Sequence, residues 1–257
     1  PFPLIGVLPM GTGNAWAHVT GAPKAEKALE RIAALNGKRP PLRTFGLVRV
    51  NGGTLAPFAG TGFDADLVND YKAQLQLYPP GPLREAHTGL RGYLGALFTR
   101  TIPRHVFGAG PAHVKVTNLG GAAQTLDARG NVVNLEGGET GAVLFEGLAG
   151  VAGAATIPEW GYKFRAFPNA EKVPGRLSVR VYSARALEAT RHMFKLWGGK
   201  DVPNMHDFFV DHVRMEFDRK VPLQFAGDVD GEHEVLEFEL AKQRVDVIDW
   251  RALQRTN

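Results

Sequence analysis

The feature that most constrains the fold is a two-residue alternation of apolar and polar side chains in the second half of the chain. Apolar residues occupy every other position in three segments, at 177–182, 213–217 and 236–240. Successive side chains of a β-strand point to opposite faces of a sheet, so this alternation is typical of strands with one buried and one solvated face. Such strands belong mainly to antiparallel sheets. The sequence therefore predicts a large antiparallel β-region.

The first 42 residues follow a different pattern. Residues 5–8 form a short apolar run that ends at Pro9, which predicts a buried strand. Residues 24–36 carry apolar side chains at helical spacing, with Gly37 as a stop signal. A strand, a glycine-rich turn and a helix in this order are typical of an α/β unit. We therefore expect the remnant of an α/β domain over residues 1–42, followed by a β-rich domain.

Three more helices are expected inside the β-rich region, at residues 66–77, 90–98 and 184–197. Trp16, Phe98 and Trp197 lie on apolar faces, so we expect them in the core rather than on a stacking surface. The apolar stretch 141–158 is interrupted by Glu146 and is rich in Gly and Ala. We interpret it as buried strands and turns instead of a transmembrane span.

Composition excludes several kinds of site. With no cysteine, the chain has no disulfide, no thiolate metal site and no cysteine nucleophile. The eight histidines show no metal-ligand spacing, and each is interpreted as a surface or core residue. The net charge of +4 suits a phosphate-bearing ligand or an anionic membrane surface but is too small to indicate nucleic acid binding.

A glycine-rich bend follows the first predicted strand, at Gly11, Thr12, Gly13 and Asn14. Backbone N–H groups in such a bend, close to a helix N-terminus, can hold a phosphate. The two glycines permit positive φ and close approach of a ligand. From these residues alone, an ordinary turn with no ligand explains the sequence equally well.

An Asp-Gly pair occurs near the other end, within the sequence FAGDVDGE at residues 225–232. Asp230 and Glu232 flank Gly231, so both carboxylates could point into one cleft. The alternative is that Asp230-Gly231 only forms a hairpin turn between two strands, as this dipeptide often does.

Four segments together resemble the diacylglycerol kinase and sphingosine kinase catalytic superfamily. GVLPMGTGNAWA looks like the family segment PxGTxNDFA, and PFAGTGFDADLVNDY is similar to its GFDA segment. FRAFPNAEKVPGRLSVRV resembles the stretch containing DDGxLDV, and QFAGDVDGE resembles the closing DGE motif. The four follow each other in the family's order from residue 4 to about residue 248.

The resemblance implies a fold and a division of the chain. Residues 1–42 would be the C-terminal remnant of a Rossmann-like nucleotide-binding domain, and residues 43–240 a large antiparallel, sandwich-like β-domain with a few helices. Residues 241–257 would return to the first domain. The family's phosphate-binding GGDGT loop does not occur in this sequence, and the chain starts with Pro1. We therefore expect it to be part of a longer protein.

The resemblance also implies an ATP-dependent kinase that transfers the γ-phosphoryl group to a hydroxyl of diacylglycerol or of a sphingoid-type lipid. Asp230 would be the base that receives the hydroxyl proton, with Glu232 beside it orienting the hydroxyl or a Mg²⁺ shell. Residues 11–14 would contact the nucleotide. Such a protein would be cytoplasmic and would bind its lipid at a membrane surface. It could also form a homodimer.

Asp66 would recognise the lipid head group, with Asp64 in the same segment. From the residues alone, Asp66 is equally well explained as the N-cap of the following helix. A lipid acceptor also predicts an apolar cleft in the β-domain, to which residues 141–155 could contribute.

Two departures from the family pattern favour an alternative. Ala15 replaces the family's Asp after GTxN, and Val173-Pro174-Gly175 stands where DDG would supply carboxylates to a metal. No metal site is therefore assigned. The alternative is a lipid-binding or regulatory module that retains the fold without catalysis, and a kinase acting on a soluble substrate ranks last. The kinase interpretation requires Asp230 to face the same crevice as residues 11–14.

Overall fold

The computed structural model describes residues 5–11, 13–108 and 110–255, and for Arg255 the backbone only. Twelve strands form a connected sheet in which every pairing between named strands is antiparallel. The strands are β1 (Leu42–Val50), β2 (Leu55–Ala56), β3 (Phe58–Gly62), β4 (Ala112–Asn118), β5 (Gln124–Leu126), β6 (Val132–Asn134), β7 (Val143–Ala149), β8 (Val151–Ala155), β9 (Leu177–Tyr182), β10 (Met205–Val210), β11 (His212–Phe225) and β12 (Asp228–Ile248). The large antiparallel β-region expected from the alternation is confirmed.

The main path of the sheet runs β2-β1-β12-β11-β3-β8-β9-β10-β5-β6. The long strand β11 branches, because its first half pairs with β4 and its last residues pair with β3. Val114 and Val116 of β4 share one buried core with Leu177 and Val179 of β9. Residues from both branches thus contribute to the main core.

The helices lie beside the sheet. They are α1 (Ala15–Thr20), α2 (Ala25–Ala34), α3 (Phe63–Gln76), α4 (Pro82–Ala86), α5 (Gly89–Ala96), a π-helical turn (Leu97–Thr101), α6 (Ile102–Phe107), α7 (Ala186–Arg191), α8 (Met193–Trp197) and α9 (Trp250–Arg255). The π-helical turn precedes Pro103, which has no N–H to continue the α-helical hydrogen bonds.

Only part of the expected N-terminal α/β unit is found. Among residues 5–8, only Ile5 pairs with the sheet, through an isolated parallel bridge to Val247. The predicted strand is wrong beyond that residue, because the chain turns at Pro9, where the N–H of Met10 donates to the carbonyl of Leu8. Helix α2 forms, but Leu29 on its predicted buried face is 66% exposed. These elements do not by themselves establish a Rossmann-like domain.

The C-terminal segment does return to the N-terminal residues. Strand β12 continues without a break through residue 240 to Ile248, where it pairs with Leu42. Ile248, Trp250 and Leu253 then pack against Ala28 of α2 in a separate small core. Residues 248–253 therefore pack against helix α2, and residue 240 lies inside one continuous strand.

Three details of the predicted helices and strands need correction. Strand β9 is buried on both faces, because Arg180 on its expected wet face is covered and bonded to Asp207 of β10. The predicted helix 184–197 is broken at His192 into α7 and α8, which leaves Phe194 93% exposed. Phe98 is 55% exposed and so does not belong to the core, whereas Trp16 and Trp197 are half-buried.

Candidate functional site

An apolar cavity of about 360 Å³ lies between the helices and the sheet. Its walls come from α3, from α5 with the π-helical turn, from residues 160–167, and from α7 with α8. The large apolar side chains that line it are Phe58, Phe63, Leu67, Val68, Leu90, Tyr93, Leu94, Leu97, Trp160, Phe164, Phe167, Met193, Leu196 and Trp197. A mainly apolar cavity of a few hundred Å³ is typical of a small-molecule site.

One carboxyl group, that of Asp64, lines this cavity. Asp64 lies in the first turn of α3, and its Oδ2 accepts a hydrogen bond of 2.9 Å from Nε2 of Gln224 on β11. Gly60 leaves room for it, since a Cβ there would lie 3.1 Å from Oδ2. The other oxygen, Oδ1, is shielded from solvent and has no hydrogen-bond partner. Burial raises the pKa of this carboxyl to about 7, against the lowering effect of the Gln224 bond.

Two more polar atoms of lining residues are buried without a hydrogen-bond partner. They are the indole Nε1 of Trp160 and the hydroxyl of Tyr162. The Tyr162 ring meets Tyr93 edge-on at a centroid distance of 5.5 Å, and burial raises the pKa of its hydroxyl. Buried polar atoms are normally bonded, so these two atoms are exceptions to the usual pattern.

One residue of the predicted glycine-rich bend, Gly13, lies at this cavity. The Gly13 carbonyl accepts 2.9 Å from the N–H of Tyr162, and Gly161 packs against the Gly13 backbone. Asn14 has φ 53° and closes the bend itself, since its Oδ1 accepts 3.0 Å from the N–H of Gly11. Thr12 lies outside the described residues. The predicted nucleotide contacts of Gly11, Thr12, Gly13 and Asn14 remain a prediction.

The hairpin between β11 and β12 turns at a different place from the one that the Asp-Gly pair suggested. Phe225 pairs with Asp228, so the two-residue turn is Ala226-Gly227, with both φ values positive at 50° and 89°. Asp230 and Gly231 instead lie within β12, at a register shift. Ala226 and Gly227 line the cavity. The hairpin-turn explanation of Asp230-Gly231 is therefore wrong, and these residues form a bulge.

Asp230 does not line the apolar cavity. The Asp230 side chain is half-exposed and lies 3.7 Å from the Nε2 of His233. The carboxylate of Asp228, next to the hairpin turn, influences the pKa of a tyrosine in the cavity wall. Its charge adds to the effect of burial, the main cause, in raising the pKa of Tyr93 to about 12. It also forms a 3.0 Å ion pair with Lys72.

Glu232 and Asp66 line a second, smaller cavity of about 240 Å³. Residues two apart on a helix point about 200° away from each other, which explains why Asp64 and Asp66 face different cavities. Asp66 is already engaged, because its two oxygens lie 3.1 Å from Arg104 Nη1 and 2.9 Å from His105 Nε2. It is not an N-cap, since α3 begins at Phe63 after Gly62.

The structure thus divides the predicted site residues between two cavities. Gly13 and Asp64 line the apolar cavity, whereas Asp66 and Glu232 line the second one. Asp230 lines neither. Gln224 and Tyr162 were not foreseen from the sequence, and no local pattern marks them. Gln224 reaches Asp64 across 160 positions of the chain.

The potential metal ligands in this chain are acidic and histidine side chains. Within residues 5–11, 13–108 and 110–255, no group of three or more His, Asp or Glu side chains is arranged to hold a metal ion. In the same part of the chain, the helices are too short or too polar to cross a lipid bilayer.

Comparison with solved structures identifies the fold. A provisionally assigned diacylglycerol kinase from Bacillus anthracis strain Sterne superposes with a TM-score of 0.61 at 17% identity, covering 98% of this chain and 71% of its own. The chain has the diacylglycerol kinase fold. A second such structure from the same strain gives a TM-score of 0.59 at 18% identity, with coverages of 96% and 69%.

A third structure, of a diacylglycerol kinase from that strain, gives a TM-score of 0.56 at 13% identity and covers 98% of this chain and 68% of its own. Neither the models of known protein families nor the curated protein sequences match this chain. The resemblance drawn from four sequence motifs is therefore confirmed by the fold. Activity and substrate are a separate question at this level of identity.

Proposed function

We propose that this chain is part of an ATP-dependent lipid kinase and that it binds the lipid acceptor in the apolar cavity. The acceptor is a hydroxyl-bearing lipid of the diacylglycerol or sphingoid type. The observation that carries the proposal is the composition of the cavity. Its walls are mainly apolar, and Asp64 and Gln224 place a hydrogen-bonded polar pair within them, while Arg180 and Thr190 also line the cavity.

This arrangement suits an amphipathic ligand. Alkyl chains gain about 25 cal/mol per Å² of apolar surface removed from water, so apolar walls favour the hydrocarbon part. The hydroxyl or carbonyl groups of the same ligand need partners once they are buried. Asp64 Oδ1, Trp160 Nε1 and the Tyr162 hydroxyl are buried atoms that lack such partners. A purely hydrocarbon ligand would leave all three unsatisfied.

Two carboxyl groups are candidates for the base in phosphoryl transfer. The motif resemblance names Asp230, which is half-exposed beside His233. The cavity itself contains Asp64, and its pKa of about 7 would let it accept a proton from a hydroxyl near neutral pH. Asp64 as the group that bonds the acceptor and Asp230 as the base would affect lipid binding and phosphoryl transfer differently, so the two roles are separable by mutation.

A lipid-binding module without catalysis is the second candidate. Three observations favour it. Ala15 stands where the family has Asp, Asp230 and Glu232 do not line the apolar cavity, and the described residues form no metal cluster. Such a module would bind the same lipids and give no phosphorylated product.

Both candidates are tested with the protein in its natural full length. It is incubated with labelled ATP, Mg²⁺ and mixed micelles of diacylglycerol or sphingosine, and lipid binding is measured in parallel with a fluorescent lipid analogue. Labelled lipid that is lost in Asp230→Asn supports the kinase with Asp230 as base. Loss of both binding and product in Asp64→Asn, with normal behaviour of the exposed control Glu136→Gln, supports Asp64 as the residue that holds the acceptor. Binding without any product supports the module instead.

A further inference from the structure

The helices that enclose the apolar cavity also form part of the outer surface. Helix α5 and the π-helical turn line the cavity through residues such as Tyr93 and Leu97, and α8 lines it through Met193 and Leu196. Helix α6 continues from the π-helical turn and packs against α7. We call the segments 82–107 and 184–200 together the helical layer. Side chains on the inner side of this layer line the cavity.

The outer side of this layer exposes large apolar side chains. Phe194 is 93% exposed, Phe107 88%, Leu187 65% and Phe98 55%. Phe107 and Leu187 belong to α6 and α7, which are in contact, and Phe194 follows in α8. Single exposed apolar residues are common, but three phenylalanines and a leucine on one layer indicate a binding surface.

The same layer has a larger net positive charge than the whole chain. Segments 82–107 and 184–200 contain eight Lys and Arg residues and two Glu, a net charge of +6, whereas the whole chain is +4. The rest of the protein is therefore net negative. Arg91, Arg185, Arg191 and Lys195 are exposed, and none of the four forms an ion pair within the described residues.

Exposed aromatic side chains among unpaired basic residues are better suited to bind an anionic bilayer than a second copy of the chain. The surface of an anionic bilayer supplies negative head groups to the arginines and lysines and an apolar interior to the phenylalanines. A second copy of the chain would bring two surfaces of charge +6 together, which opposes self-association through this layer. The cavity lies directly behind the same helices, so a lipid could pass from the bilayer to Asp64 between them.

We infer that the outer side of the helical layer docks on an anionic membrane surface, with Phe107 and Phe194 inserted below the head groups and the exposed basic residues in contact with phosphates. The inference rests on the proposed lipid site, because docking here brings the cavity to the source of its ligand. It adds an interaction surface and an orientation that the cavity alone does not specify.

The test is flotation of the protein with phosphatidylcholine vesicles that either contain or lack phosphatidylglycerol. The native protein should float with the anionic vesicles. The double variant Phe107→Ser/Phe194→Ser should bind them at least about tenfold more weakly, because it loses the insertion of two aromatic side chains. The double variant Arg191→Glu/Lys195→Glu should lose the preference for phosphatidylglycerol. A matched control, Val133→Ser/Val143→Ser, changes two exposed apolar residues on β6 and β7 and should bind like the native protein.

Circular dichroism and binding of a short-chain, water-soluble diacylglycerol show that the variants remain folded with an intact cavity. Unchanged flotation of the Phe107→Ser/Phe194→Ser protein would overturn the inference. So would a native dimer in gel filtration that this variant converts to a monomer, because the layer would then be an interface between copies. Vesicle docking without lipid phosphorylation by the native protein would leave the docking surface in place and count against the kinase.

Discussion

Gln224 Nε2 donates a 2.9 Å hydrogen bond to Asp64 Oδ2, and Gln224 Oε1 accepts 3.1 Å from the N–H of Gly227. One buried side chain thus joins the first turn of α3 to the turn of the β11–β12 hairpin. Both ends of this link line the apolar cavity. The position of the carboxyl group and the path of the hairpin are therefore coupled.

The Asp64 carboxyl should make stability fall as pH rises. Burial raises the pKa of this carboxyl from its ordinary 3.8 to about 7 in the folded protein, so between these pH values the folded state holds a proton that the unfolded state has lost. The favourable contribution is complete below about pH 4 and is lost as pH rises through 7. Asp64→Asn removes this dependence, and we expect it to be more stable than the native protein by roughly 2–4 kcal/mol at pH 8 and nearly equal to it at pH 4.

Urea unfolding of both proteins at a series of pH values measures the difference. Glu136→Gln, an exposed change of the same type, controls for the general loss of a negative charge. Parallel stability curves for the native protein and Asp64→Asn would show that Asp64 is not buried as described.

Gln224→Leu should destabilise the protein, although the side chains of glutamine and leucine are similar in size. The substitution leaves Asp64 Oδ2 and the N–H of Gly227 without partners, and a buried unsatisfied group costs about 1–3 kcal/mol. Removing the hydrogen bond that lowers the pKa of Asp64 should also move that pKa further upward. Combining Gln224→Leu with Asp64→Asn should recover part of the loss, which chemical denaturation of the three variants would reveal.

Gly62→Ala should be much more costly than another glycine substitution at similar φ. Gly62 has φ 91°, and a Cβ there would lie 2.3 Å from the carbonyl oxygen of Gly150. Gly37 has φ 84° with nothing within 4 Å of its Cβ position. We expect Gly37→Ala to cost about 1 kcal/mol and Gly62→Ala to exceed that by at least about 2 kcal/mol. Equal thermal midpoints for the two variants would contradict the close approach of β3 to residue 150.

The buried pair Arg180–Asp207 should behave as a unit. Arg180 Nε and Nη2 each lie 2.7 Å from an oxygen of Asp207, and both side chains are at least nine-tenths buried. Arg180→Met leaves the buried Asp207 carboxylate without its cationic partner and should lower the free energy of unfolding by about 3–5 kcal/mol. The double variant Arg180→Met/Asp207→Leu should lower it less. A double-mutant cycle by urea unfolding provides the coupling energy. Additive effects of the two single changes would exclude the pairing.

Parts of the fold follow from local sequence. The alternation in residues 213–217 and 236–240 predicts β11 and β12, because inward-facing apolar residues such as Met215 and Leu236 have one way to be buried on a strand. The four motifs predict the diacylglycerol kinase fold, and it is confirmed. Helix α3 was predicted too short, since Gly62 and not Asp66 precedes its first turn.

Other features depend on pairings that no local pattern contains. Asp230-Gly231 reads as a hairpin turn, but the register of β11 against β12 places the turn at Ala226-Gly227 and makes Asp230 part of a bulge. In the same way, the helical spacing of apolar residues in 184–197 predicted a buried Phe194, yet the helix breaks at His192 and Phe194 is exposed. Strand register and helix breaks are decided by the partners on either side.

By itself, the sequence determined the antiparallel strands, most of the helices and the kinship of the fold, because these depend on the spacing of apolar residues and on short motifs. Only the tertiary structure decided which carboxyl lies in the apolar cavity. The sequence pointed to Asp66 for the lipid head group, but a helix turns Asp64 and Asp66 to opposite sides, and Gln224, 160 residues from Asp64, reaches only Asp64. Burial and hydrogen bonding, which set the chemistry of each group, are properties of the packed chain.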